Sequence, residues 1–166
     1  RYLKYLIELD EVPPVPPEAV RLLKMPKKHA RVAELDDLIR LIESPTVYEK
    51  KREVALRNRA ILEMLFATGM RISELTALNK NQLDATGRIF IRGKGRKERF
   101  VYLTERATRC TAEYLKIRGD GSPALFLPTR GRNSGSIKAR ISPNYVQMKI
   151  KQYSERLCIN VPTSAH

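Results

Sequence analysis

Two glycine-punctuated motifs near the middle of the chain constrain its fold more than any other feature. Residues Ala67-Thr68-Gly69-Met70-Arg71-Ile72-Ser73-Glu74-Leu75-Thr76-Ala77-Leu78 are followed by Gly93-Lys94-Gly95-Arg96-Lys97-Glu98-Arg99. Before the first, Leu56, Ala60, Ile61, Met64, Leu65 and Thr68 recur at helical spacing, so Gly69 stands where a helix stops in a left-handed residue. Ile72, Leu75 and Leu78 renew the pattern, so Arg71 opens a new helix. The second motif separates Arg88–Arg92 from Glu98–Leu103, two runs rich in β-branched and aromatic residues. The expected result is a pair of helices followed by a β-hairpin. An arginine sits on a buried, fixed helix start and a lysine, Lys94, on a reaching turn.

Around this centre the periodicity is mostly helical. Leu35, Leu38, Ile39 and Ile42 predict a helix ended by Ser44-Pro45. Another spans about Thr104 to Arg118 and closes at Gly119-Asp120-Gly121, and Leu125-Phe126-Leu127 reads as a short buried segment. Ser142-Pro143 announces a last helix, with an N-cap and proline at the first position, carrying Val146, Ile150, Tyr153 and Leu157 on one face. The fold class is α+β, mostly α, with a small hairpin sheet. Residues 1–9 form a short amphipathic stretch, read as the end of a helix. Val12-Pro13-Pro14-Val15-Pro16-Pro17 then forbids helix, and Pro26 with the basic tract Lys27–Arg31 completes a linker.

The charge narrows the partner. With 32 Lys+Arg against 18 Asp+Glu the chain carries +14, an excess that favours a polyanion. It falls in clusters: Lys24 to Arg31, Arg88 to Arg99, and Arg130 to Arg140. Charge alone separates DNA from RNA no better than from a solvated basic surface, but Arg88–Arg92 lacks the aromatic strand motif of an RNA-recognition fold. On the last helix Lys149, Lys151 and Gln152 leave the apolar stripe, as on a helix facing a groove or on an ordinary amphipathic one.

Other chemistries find no footing. Gly93-Lys94-Gly95 lacks the spacing of a P-loop, and no GxGxxG follows a strand. Cys110 and Cys158 form no CxxC and stand apart from His29 and His166, so no metal site is expected and the thiols read as reduced, in the cytoplasm. No apolar run is long enough to span a bilayer.

Arginine is planar, always charged and able to grip two phosphate oxygens at once, whereas lysine can also give up a proton. Arg71 and Lys94 therefore suit a charge stabiliser and a proton donor at one phosphate, with Glu74 three residues on to orient the arginine. Each residue alone has a plainer meaning, a solvated helix start or a hairpin tip that touches phosphate.

Taken in order, ATGMRISEL followed by GKGRKER strongly resembles the tyrosine recombinase family of phage integrases and Xer-like proteins. The resemblance implies metal-independent cutting and rejoining of DNA, without cofactors, on duplex DNA and with self-association there in the full-length protein. It implies that Arg71 stabilises the phosphorane-like transition state and that Lys94, rather than Lys97, protonates the departing oxygen. Thr163-Ser164-Ala165-His166 matches the approach to the family's next motif, making His166 an aid to proton transfer. The second arginine and the tyrosine nucleophile of the family have no positions here, since all seven tyrosines lie upstream of His166. The expectation is an incomplete catalytic domain, inactive alone, with Arg96, Lys97, Arg99, Arg140 and Lys149 holding DNA. Residues 1–31 would be the end of a core-binding domain plus linker, and 32–166 the first part of the catalytic domain. The alternative is a non-catalytic double-stranded DNA-binding module.

Overall fold

The computed structural model describes residues 2–12, 14–16, 19–20, 33–84, 86–93, 98–131 and 136–159. The chain divides into two compact units, Arg1–Ala30 and Arg31–His166. In the first, α1 (Tyr2–Glu8) buries none of its side chains. Most of the expected linker, including Pro13, Pro17 and Pro26 to Arg31, lies outside the described residues.

The second unit runs α2 (Leu35–Tyr48), α3 (Arg52–Thr68), α4 (Ile72–Ala77), a single 3-10 turn, β1 (Arg88–Arg92), β2 (Glu98–Tyr102), α5 (Glu105–Lys116) and α6 (Pro143–Arg156). Its core joins Leu41 and Ile42 of α2, Ala60, Ile61 and Met64 of α3, and Cys110 and Tyr114 of α5. Leu125 and Phe126 of the buried loop and Val146, Ile150 and Tyr153 of α6 complete it. No described helix is long and apolar enough to cross a membrane.

Local signals explain most boundaries. Gly69 closes α3 at φ 59°, donating its N–H to the Leu65 carbonyl. Thr104 and Ser142 cap α5 and α6 through hydroxyls that accept from Ala107 N and Tyr145 N. Pro45 does not end α2 as expected; the helix continues through it to Tyr48. Proline has no N–H, so the Leu41 carbonyl loses its helical donor. The Ser44 hydroxyl takes that place, donating to Leu41 O at 2.7 Å, and the proline ring is buried in the core.

The hairpin is antiparallel, with Arg88 opposite Tyr102, Phe90 opposite Phe100 and Ile91 opposite Arg99. Directly opposed residues share a face. Ile89, Ile91 and Val101 therefore face the core, while Phe90, Phe100 and Tyr102 are exposed on the other side. Arg99 takes an inward position. That register is what carries a charged side chain toward α4.

Candidate active site

Thr68 and Gly69 shape the turn into α4. The Thr68 hydroxyl donates to Met64 O and accepts from Met70 N, so the turn is bonded on both sides. Met70 and Ile72 are buried and anchor it. Arg71 occupies the N-cap position in extended conformation, φ −69° and ψ 148°. Arginine has no acceptor with which to cap a helix. Glu74 supplies the bond from the other end, its Oε2 accepting from Arg71 N at 2.8 Å. The sequence predicts a buried position for Arg71, but only its backbone is fixed there. The side chain is 56% exposed, because its neighbours fill the core and its guanidinium turns outward.

Glu74 is the hub. Its Oε1 accepts from Arg71 Nη1 at 3.1 Å, and both oxygens take the forked donors of Arg99, at 3.1 and 2.8 Å. The carboxylate is 7% exposed, and its pKa is held down to about 2. The paired Arg99 guanidinium is the main cause, partly opposed by burial, with the Arg71 donors adding to the effect. Glu74 is thus ionised at all ordinary pH and fixes two guanidiniums with one negative charge. One net positive charge remains, and Arg71 is committed to its own protein through only one side-chain nitrogen among the described residues.

Lys94, Arg96 and Lys97 lie outside the described residues, as does His166. The described ladder ends at the Arg92–Glu98 pair, one step beyond the Ile91–Arg99 pair. Arg140 donates to Ala77 O at 2.9 Å, Leu78 O at 3.0 Å and Asn79 Oδ1, tying the loop before α6 to the end of α4. Lys149 bonds Glu49 at 2.7 Å. Both residues, expected as DNA contacts, are therefore engaged within the protein.

The sequence reading missed a buried polar network. Arg57, 1% exposed, donates to Asn58 Oδ1, Leu127 O and the Tyr145 hydroxyl. Asn58 donates to the Tyr153 hydroxyl, which in turn donates to Glu49. The signal was available: Arg57-Asn58 interrupts the buried face of α3 between Val54 and Ile61.

Mostly helical architecture, one small hairpin and an arginine pair gathered on a glutamate at its base define the class. A model of the phage integrase family matches residues 31–166, and the chain belongs to that family. It is 32% identical to the tyrosine recombinase XerC of Myxococcus xanthus over 175 residues, 99% of this chain and 55% of the relative. The XerC of Pelobacter propionicus is 39% identical over 136 residues, 78% of this chain and 43% of that one. Among solved structures, XerA recombinase superposes with a TM-score of 0.67 at 24% identity, covering 99% of this chain and 54% of its own. Lambda integrase bound to DNA gives 0.71 at 12% identity, covering 98% and 55%. The chain spans about half the length of the curated relatives it matches.

Proposed function

We propose that this chain is part of a site-specific DNA recombinase that breaks and rejoins duplex DNA through a tyrosine, without metal or cofactor. One observation carries the reading: Arg71 and Arg99 converge on the nearly buried Glu74 where the hairpin meets α4. A phosphodiester under in-line attack gathers negative charge on its non-bridging oxygens. Donors already fixed in place stabilise that charge without rearranging during the reaction. Arg71, its backbone bonded and its guanidinium open, has that arrangement. Glu74 orients it. Lys94 gives its proton to the departing 5′-oxygen, and His166 assists proton transfer. Arg96 and Lys97 contact the DNA backbone, and Lys149 contributes from α6; Arg99 and Arg140, held on Glu74 and on the end of α4, reach a phosphate only by sharing or leaving those bonds.

Solved complexes of structurally similar recombinases support the same reading. XerH has been solved on its difH substrate and lambda integrase as a dimer on a core site, so we take duplex DNA as the partner and self-association on it as the working state. Residues 1–31 serve as the end of a core-binding domain and linker, 32–166 as the first part of the catalytic domain, and the protein works in the cytoplasm. Three of the tyrosines here are unsuited to act as the nucleophile. Tyr114 and Tyr153 are buried, and the Tyr145 hydroxyl is spent on Arg57 and Asn58.

The test is trapping on a nicked duplex that cannot religate. A chain of the relatives' length carrying these residues forms a covalent 3′-phosphotyrosyl adduct, and the 166-residue chain forms none. Arg71→Ala in the longer chain lowers the adduct rate about 10²–10³-fold while sparing most of the binding. Lys94→Ala is rescued by sulfur at the bridging 5′ position, whereas Arg71→Ala is not. An adduct on the 166-residue chain, or rescue of Lys97→Ala in place of Lys94→Ala, defeats the assignment. Duplex binding with no adduct from the longer chain leaves only a DNA-binding module.

A further inference from the structure

The turn between α2 and α3, the loop at 128–131 and the first half of α6 enclose a cleft of about 620 Å³. None of Arg71, Glu74 and Arg99 lines it. Its exposed rim carries Lys50, Lys51, Arg130 and Arg140. Deeper lie Arg57, 1% exposed, and Lys149, whose side chain is 21% exposed. Among the described residues, the single acid in the lining is Glu49.

The charge count inside this cleft is unusual. Arg57 is bonded to neutral groups, the carbonyl of Leu127, the amide oxygen of Asn58 and the hydroxyl of Tyr145. Lys149 sits 5.9 and 5.7 Å from the ring centres of Tyr145 and Tyr153, with its ammonium on Glu49. One buried and one partly buried cation thus share one carboxylate. A buried charge without a counter-charge is costly, so an arrangement that keeps a positive excess inside a cationic rim is one built to receive an anion. Glu49 accepts from Lys149 at 2.7 Å and from Tyr153 at 2.5 Å, and is held ionised. Its carboxylate fills the place at Lys149 that an incoming phosphate oxygen would take.

We propose that this cleft is a second phosphodiester-binding subsite for the DNA backbone, in which Glu49 holds Lys149 until a backbone phosphate displaces it. This rests on the duplex-DNA reading above and deepens it. Glu49 acts as a built-in competitor: it neutralises the cleft toward weak anions and lowers the affinity for any duplex that does not press a phosphate into it. Its removal therefore strengthens binding, the reverse of what loss of a structural ion pair does. Without Glu49, Lys149 joins the rim cations as one more charge available to neutralise phosphate.

The experiment is an anisotropy titration of the 166-residue chain with a labelled duplex of arbitrary sequence across a salt series, after thermal melts of each variant. Glu49→Gln keeps an acceptor for Tyr153 but removes the charge. It tightens binding by about 3–10-fold at low salt and steepens the slope of log affinity on log salt by about one. Lys51→Ala and Arg130→Ala, on the exposed rim, each weaken binding on all sequences and flatten that slope by about one. If Glu49→Gln fails to fold, the two rim variants decide. Wild-type binding with unchanged slopes in Lys51→Ala and Arg130→Ala overturns the subsite and leaves the recombinase reading standing. No duplex binding by the wild type overturns both. Inorganic phosphate or a mononucleotide that raises the melting temperature of the wild type, but not of Lys51→Ala, while duplex affinity ignores these variants, assigns the cleft to a free anion and overturns the DNA source.

Discussion

Two arginine–glutamate clusters sit in the same domain, and they differ by one charge. Against α3, Glu63 pairs with Arg106 of α5 and lies near Arg59, while Glu43 of α2 takes the other side of both arginines. Two acids meet two arginines, so that cluster is neutral and its innermost carboxylate, on Glu63, is 4% exposed. At the hairpin base two arginines share Glu74 alone, and Arg71 is more than half exposed. The balanced cluster braces three helices; the unbalanced one holds a positive charge in a fixed direction. Similar residue types therefore do different work according to whether their charges close. The cleft around Glu49 belongs with the second kind.

Substitutions can break or sharpen this contrast. The largest effect is expected at the brace. Glu63→Ala leaves Arg59 and Arg106 with Glu43 alone and costs about 2–3 kcal/mol in urea unfolding, with the salt slope of DNA binding unchanged in whatever remains folded. Glu74→Gln keeps the shape of the hub but releases the fork from Arg99. It costs less, about 1–2 kcal/mol of stability. Its mark is functional: in a chain of the relatives' length it slows adduct formation at least about tenfold with affinity nearly unchanged, as loss of orientation does. A Glu74→Gln variant that unfolds as readily as Glu63→Ala, without that split between rate and binding, would make both clusters braces.

Acid sharpens the comparison further. The Glu74 pKa falls from 4.5 to about 2 on folding, so its contribution is complete above about pH 4.5 and drains away as the pH drops toward 2. The difference in urea midpoint between wild type and Glu74→Gln is therefore constant at neutral pH and closes across that window. A difference that persists at pH 2 would show that packing, not charge, holds the hub. The smallest effect is backbone alone: Gly69→Ala meets no neighbouring atom but forces a left-handed alanine, costing about 1 kcal/mol in thermal or urea unfolding.

Much of this was legible in the sequence because the signals were local. Gly69 at the end of α3, Ser142-Pro143 at the start of α6 and the alternation around Gly93 each act within a turn or a strand. The place of Arg71 at the start of α4 was legible for the same reason, though not its exposure, which depends on how Met70 and Ile72 fill the core. Pro45 misled because its remedy, the Ser44 hydroxyl, competes with the strongest helix-breaking rule. Arg99 read as one more basic residue of the hairpin, since only strand register says which face it takes. The Arg57 network joins residues far apart in the chain, 70 positions to Leu127 and 88 to Tyr145, and no periodicity reports such contacts.

The passage of α2 through its proline has a consequence well beyond that helix. The final turn ends with Glu49 N donating to Pro45 O at 3.1 Å, and this is what sets the Glu49 carboxylate against Tyr153 and Lys149. Had the helix stopped where its proline suggests, the following residues would leave in another direction and α6 would lose its counter-ion. One serine hydroxyl, hidden beneath the surface and touching no cation, thus serves as the hinge pin that aims the acid. The electrostatic character of an outer face is decided by a bond in the interior, so a change at Ser44 would surface as an altered charge balance around Lys149.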